Sequence, residues 1–167
     1  PELVEEAGSR SLGLRVMLGQ QVAVSHTSDL SRQGIERLVE DAVELARLSS
    51  PDSFAGAPDP SSLVDAKTLP DLDLYDPSVS DVDGAEALRR ALAGEDAALS
   101  SDVRLSNSEG ATFSRGIGDS VLVTSGGFVG HARGSSASIV VSPVADNADG
   151  KKRSGYHWAS ASSATGL

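Results

Sequence analysis

The residues able to do chemistry are scattered along this chain. His26, His131 and His157 are the three histidines, and cysteine is absent. A zinc site draws three or four ligands from Cys, His, Asp and Glu. No two histidines stand four or five residues apart, so neither HExxH nor HExxxH occurs. His26 shares the face of an alternating segment with Val22 and Val24. It reads as a strand-end histidine near a loop rather than a ligand. Serines are abundant, yet the G-x-S-x-G nucleophile pattern is missing. Asp71-Leu72-Asp73-Leu74-Tyr75-Asp76 alternates carboxylates with apolar groups, but it lacks the glycine and distal glutamate of a calcium loop. Disulfide scaffolds and thiolate metal centres are excluded, and neither a nucleophile pattern nor a metal-ligand pattern is complete in the sequence.

The elements that must position these residues follow from periodicity. Leu12, Leu14, Val16 and Leu18 alternate with Gly13, Arg15 and Met17; Val22, Val24 and His26 continue the alternation after Gly19-Gln20-Gln21. Period two predicts a β-hairpin. Glu2 to Glu6 reads as the end of an earlier strand. Ile35, Leu38, Val39, Ala42, Leu45 and Ala46 recur at helical spacing, which predicts an amphipathic helix from about Ser31 to Leu48, capped by Asp29 or Ser31. Gly34 weakens its first turn. Ser50 to Pro77 holds most of the chain's prolines and little periodicity, the mark of a long ordered loop, with Asp71 to Asp76 a possible edge strand. Ala85, Leu88, Ala91, Leu92, Ala98 and Leu99 give a second helix over about 81–99. Gly94 and Glu95 interrupt it, and Glu95, on the side of Leu88, Leu92 and Leu99, snorkels to water or meets an arginine such as Arg89. From Asp102 onward, strands are expected at 103–107, 110–116, 120–125, 133–145 and 152–161. The turns between them are Gly116-Ile117-Gly118-Asp119, the corner at 126–130 and Asp146 to Gly150.

The fold class expected is α+β: a hairpin plus an amphipathic helix, then a helix against an antiparallel β-meander sheet. Two subdomains are expected, 1–70 and 71–167. The 167 residues carry a formal net charge of −10 and a pI of about 4.6. Such a surface repels phosphate backbones, so nucleic-acid binding is not expected. Lys151-Lys152-Arg153 reads as a solvated strand end. No apolar run has membrane-spanning length, and the cytoplasm is the expected location.

Several patterns occur in a telling order. Gly13-Leu14-Arg15-Val16 leads to Ser25-His26-Thr27-Ser28-Asp29-Leu30-Ser31. Ala46-Arg47-Leu48, Pro51-Asp52, Ala55-Gly56, Pro58 and Asp71 to Pro77 follow. Then come Asn107-Ser108-Glu109-Gly110, Gly126-Gly127-Phe128-Val129-Gly130 and Arg133-Gly134-Ser135-Ser136, the last opening the β-type run Ala137 to Val141. In this order the chain resembles the TldD/PmbA proteins, the modulator of DNA gyrase metallopeptidase family, and more closely their PmbA, or TldE, branch. The resemblance covers nearly the whole chain. Against the family's length, the chain looks like an N-terminal portion that lacks the first strand and helix and the C-terminal domain.

The resemblance implies a subunit that does not itself bind metal. In the family the metal ligands belong to the C-terminal domain of the TldD-type subunit, so zinc is expected in that partner and no catalytic or metal residue is assigned here. It further implies a TldD-like partner, or self-association, and an unfolded peptide as substrate. An exposed strand edge would hold extended peptide through main-chain hydrogen bonds. Asn107, Glu109, Arg133, Ser135 and Ser136 are the candidate substrate-binding wall positions, against the alternative that they only satisfy turns and sheet ends. A non-proteolytic protein that modulates DNA gyrase or a toxin–antitoxin system is the alternative function.

Overall fold

The structure, a computed structural model, describes residues 3–167. The chain divides into two compact units. One holds Glu5–Val64 and Ser125–Gly127. The other holds the leading residues through Val4, Asp65–Thr124 and Phe128–Leu167.

In the first unit, β1 (Leu12–Leu18) and β2 (Gln21–Thr27) form the expected hairpin, with Leu18 opposite Gln21. Gly19 at the turn has φ +61°, a conformation that costs glycine nothing. Helix α1 (Arg32–Leu48) packs on both strands and buries Leu38, Ala42 and Ala46. The Ser31 hydroxyl caps it by accepting from Gly34 N–H at 3.1 Å, while Asp29 accepts from Ser31 N–H at 3.0 Å. Hydrogen bonding from Ser31, side chain first and then main chain, holds Asp29 below the usual carboxylate range. Gly34 does more than weaken the turn. A Cβ there would lie 2.4 Å from the Asp29 carbonyl oxygen, so the capping loop can fold over the first turn only above a glycine. Leu3 to Glu6 form no strand, and Glu2 lies outside the described residues.

The stretch after α1 is ordered by short turns rather than strands. Turns of 3-10 helix at Pro60–Ser62, Ala66–Thr68 and Pro77–Val79 each open on an aspartate that accepts an N–H two residues on. Asp71 to Asp76 is not a strand, since Asp73 takes φ +51° and breaks the extended path.

In the second unit, helix α2 (Gly84–Ser100) lies against a sheet of β3 (Leu105–Val123), β4 (Val129–Asp146), β5 (Lys152–Ser154) and β6 (His157–Ala161). The Asp83 carboxylate caps α2. Val79, Val82, Ala137 and Ala164 form the buried core, with Ala87, Phe113 and Leu167 packed on it. Gly94 does not interrupt the helix. A Cβ there would meet Ile139 Cδ1 at 2.5 Å, so the glycine is where the helix approaches the sheet most closely.

The sheet corrects the expected strand boundaries. The three segments 103–107, 110–116 and 120–125 merge into one strand, β3, which pairs with β4 along its length but for two register shifts. The expected turn at Gly116-Ile117-Gly118-Asp119 is extended and lies opposite Arg133 to Ser136. Asn107 to Gly110 is a pair of irregularities in that strand, with Ser106 and then Glu109-Gly110 supplying the extra residues. Gly110 takes φ +122°, and its N–H bonds the Ser108 hydroxyl at 2.9 Å. Each extra residue bends the ladder and leaves a group unpaired. β5 and β6 lie along the same edge of β4 in one register, Val144 opposite Ser154 and Val141 opposite His157. The gap between them falls where Gly155 N–H donates to Pro143 O. Proline has no N–H to return, so the ladder loses one bond there.

Candidate functional site

The middle of the β3–β4 ladder is poor in side chains. Gly116, Ile117 and Gly118 on β3 face Gly134, Ser135 and Ser136 on β4, and with Leu74 and Ser162 they line an open groove of about 480 Å³. Three glycines leave backbone as the floor, which allows another main chain to approach closely.

Ser135 is the fastening point of this region. Its N–H donates to Leu74 O at 2.8 Å. Its hydroxyl donates to Ser162 O at 2.6 Å and accepts from Asp76 N–H at 2.8 Å. A hydroxyl so engaged is a structural tie, not a nucleophile awaiting a base. Asp76 is held below the usual carboxylate range, mainly by hydrogen bonding from Ser78, side chain and then main chain, with Ser163 adding to it. It is an acceptor here, not an acid. Ser136, the next residue along β4, takes the opposite face of the sheet and is exposed.

Arg133 stands beside this groove. Its guanidinium lies 4.2 Å from the centroid of the Tyr75 ring, a cation–π stack. Its Nε is 3.8 Å from Asp119 Oδ2, and His131 Nε2 is 3.1 Å from Asp119 Oδ1. Asp119 therefore gathers a cation and an imidazole on one face. The sequence reading missed Asp119 and Tyr75, because it put Asp119 in a turn and Tyr75 in a loop. Cross-strand pairing of Asp119 with Arg133 was the only signal, and it needs the register.

Asn107 and Glu109 are elsewhere. Asn107 lies opposite Val144, and its Oδ1 accepts from Ser108 N–H at 2.9 Å. At about 3.3 Å per residue, roughly 30 Å of strand separates it from Ile117. Of the five candidates, Ser135 and Ser136 line the groove, Arg133 stands beside it against Tyr75, and Asn107 and Glu109 lie at the bulge.

The residues present do not fit a zinc centre. Among the described residues no three His, Asp or Glu side chains converge. His131 and His157 stand opposite Val121 and Val141, again roughly 30 Å apart along β4. His26 lies in the first unit, in a polar cleft of about 300 Å³ with Asp29, Arg37 and Asp41. No helix among the described residues is long and apolar enough to cross a membrane.

Two family models match the chain: the PmbA/TldA metallopeptidase domain 1 over residues 1–46, and the PmbA/TldA metallopeptidase central domain over residues 77–166. The chain is 41% identical over 128 residues to a metalloprotease PmbA homologue of Haemophilus influenzae, and 38% identical over 128 residues to the metalloprotease PmbA of Escherichia coli. Each match covers 77% of this chain but 28% of the relative, so the chain spans little more than a quarter of their length. Among solved structures, a candidate modulator of DNA gyrase from Bacteroides thetaiotaomicron superposes with a TM-score of 0.86 at 21% identity, over 98% of this chain and 37% of the other. TldE from Thermococcus kodakarensis gives 0.71 at 12%, over 90% and 33%. At these identities the structures establish a shared fold. The sequence matches establish more: the chain belongs to the PmbA/TldD metallopeptidase family.

Proposed function

We propose that this chain is part of a TldE-type, non-metal-binding subunit of a TldD/TldE-type zinc metallopeptidase that degrades unfolded peptides. The observation that carries the reading is the glycine-floored groove at Gly116, Gly118 and Gly134. A floor without side chains leaves room for an extended chain of any sequence, and main-chain hydrogen bonding along the exposed edge of β3 carries no side-chain preference. Ser136 lines it as a polar wall position and Ser135 ties its edge in place, while Arg133 stands just outside the lining. Asn107 and Glu109, at the bulge, form a separate polar stretch further along the same strand. A TldD-like partner supplies the zinc and the water it activates. The lack of a converging ligand set among the described residues supports this division of labour.

The test pairs the protein with a TldD-type subunit and follows cleavage of an unfolded polypeptide. Ser136→Trp fills the groove from an exposed position. It should slow cleavage by about tenfold while leaving the partner's zinc content unchanged. The chain alone should hold no stoichiometric zinc after dialysis. Stoichiometric zinc with chelator-sensitive cleavage by the isolated chain would overturn the proposal.

A further inference from the structure

Two walls of the groove, Leu74 and Ser162, belong to no strand. Both are tied to one residue of β4. Ser135 N–H donates to Leu74 O at 2.8 Å. The Ser135 hydroxyl accepts from Asp76 N–H at 2.8 Å while donating to Ser162 O at 2.6 Å. A hydroxyl has one proton to give and lone pairs to fill, so this serine holds both segments at once. Between Leu74 and Asp76 the Tyr75 ring stacks on Arg133. Away from the groove the same two segments are joined a second time. Ala164 N–H donates to the Ser78 hydroxyl at 3.1 Å, and the Ser78 and Ser163 hydroxyls stand 3.3 Å apart. Val79 and Ala164 are buried in the core there.

The two ends of these segments are held by different physics. At Val79 and Ala164 the hold is apolar burial, which is lost only with the core itself. At Ser135 it is a few polar contacts, on a surface where Leu74 is 49% and Leu72 67% exposed. Each such bond exchanges with water at small net cost. Asp73 marks the bend before the tied residues. Its φ is +51°, and its N–H donates to Asp71 Oδ1 at 3.0 Å. A single left-handed loop residue can absorb the backbone change that a hinge needs. We infer that Ser135 is a positioning residue for the groove: its hydroxyl latches Leu74–Asp76 to Ser162 and so sets how far apart those walls stand. When the latch opens, Leu74 to Asp76 swings on Asp73 while Val79 stays in the core. On the reading of the groove as a peptide site, the latch governs how tightly substrate is held and takes no part in its cleavage.

Hydrogen exchange reads the latch in the chain itself, without partner or substrate. Ser135→Ala should speed exchange at the Asp76 N–H and at the amide of position 135 by about tenfold or more, and leave the amides of α2 as they were. Ser135→Thr keeps the hydroxyl and should restore both rates. Cleavage of an unfolded polypeptide with a TldD-type subunit then tests the groove. Ser135→Ala should raise KM about fivefold with kcat nearly unchanged, and Ser135→Thr should return it. Exchange at Asp76 that ignores Ser135→Ala overturns the latch, and exchange that rises through α2 as well overturns a local one. A KM unmoved once the latch is open, or a loss of kcat instead, overturns the positioning role. Should the pair cleave nothing, the peptide reading falls, and the exchange rates still decide the latch.

Discussion

At the Phe113–Ile139 pair the β3–β4 ladder lies under helix α2, beside Ala137, which has no exposure at all. At the Val121–His131 pair, further along the same two strands, Val121 and its neighbour Leu122 are exposed on opposite faces at 65% and 61%. The hydrogen-bond ladder is continuous between the two pairs, yet only the first has a helix on one face and β6 along the outer edge of β4. Side-chain size follows. The covered end packs Phe113, Ile139 and Val141, whereas the middle thins to Gly116, Gly118 and Gly134. Backbone pairing alone makes a marginal two-stranded ribbon. The lesson is that one strand pair can serve as a core wall at one end and as a surface at the other.

Three measurements sharpen that contrast. The largest effect is expected at the helix–sheet contact. Gly94→Val drives two methyl groups into Ile139 and Val141, and should lower stability by about 2–3 kcal/mol in urea titrations. A smaller change would show that α2 can slide off the sheet without loss.

Matched truncations come next. Val79→Ala, at a residue with no exposure, should cost about 1–2 kcal/mol. Val121→Ala, on the uncovered end, should stay within about 0.5 kcal/mol. Equal costs would erase the distinction between the two ends.

The smallest effect is a pH dependence at the covered end. Glu86 bonds Arg89 and Arg90, which lower its pKa to about 2. Arg90 in turn donates to Leu167 O at 3.0 Å and to Ala164 O, and lies over Phe113. The folded chain keeps Glu86 ionised where the unfolded chain would protonate it. The unfolded state then binds more protons, so this contribution is complete above about pH 4.5 and fades as pH falls toward 2. Glu86→Gln should flatten that part of the acid unfolding profile. An unchanged profile would mean that Arg90 holds the Ala164–Leu167 segment without its carboxylate.

The legible parts of the fold were those written in local periodicity. The β1–β2 hairpin and α1 fall within a residue or two of their expected limits, because Leu38, Ala42 and Ala46 repeat at helical spacing and Leu12 to Leu18 alternate. The Ser31 cap of α1 was legible for the same reason, since it bonds a residue three away. The site was less so. Arg133, Ser135 and Ser136 were singled out by their place in a glycine-rich run. Asp119 and Tyr75 were not, because Tyr75 reaches Arg133 across a long loop and Asp119 reaches it across a ladder.

Sequence by itself determined the β1–β2 hairpin and the two helices, the negative net charge, the absence of thiol chemistry and the family. Tertiary structure decided what the glycines mean. Gly116, Gly118 and Gly94 carry the same local signal as a turn or a helix breaker. Gly116 and Gly118 are strand because β4 pairs with them residue for residue, and Gly94 is helix because Ile139 occupies the space its side chain would fill. A glycine states only that the backbone is free of a Cβ. What uses that freedom, a reversal of the chain or the close approach of a neighbour, is fixed by contacts distant in sequence.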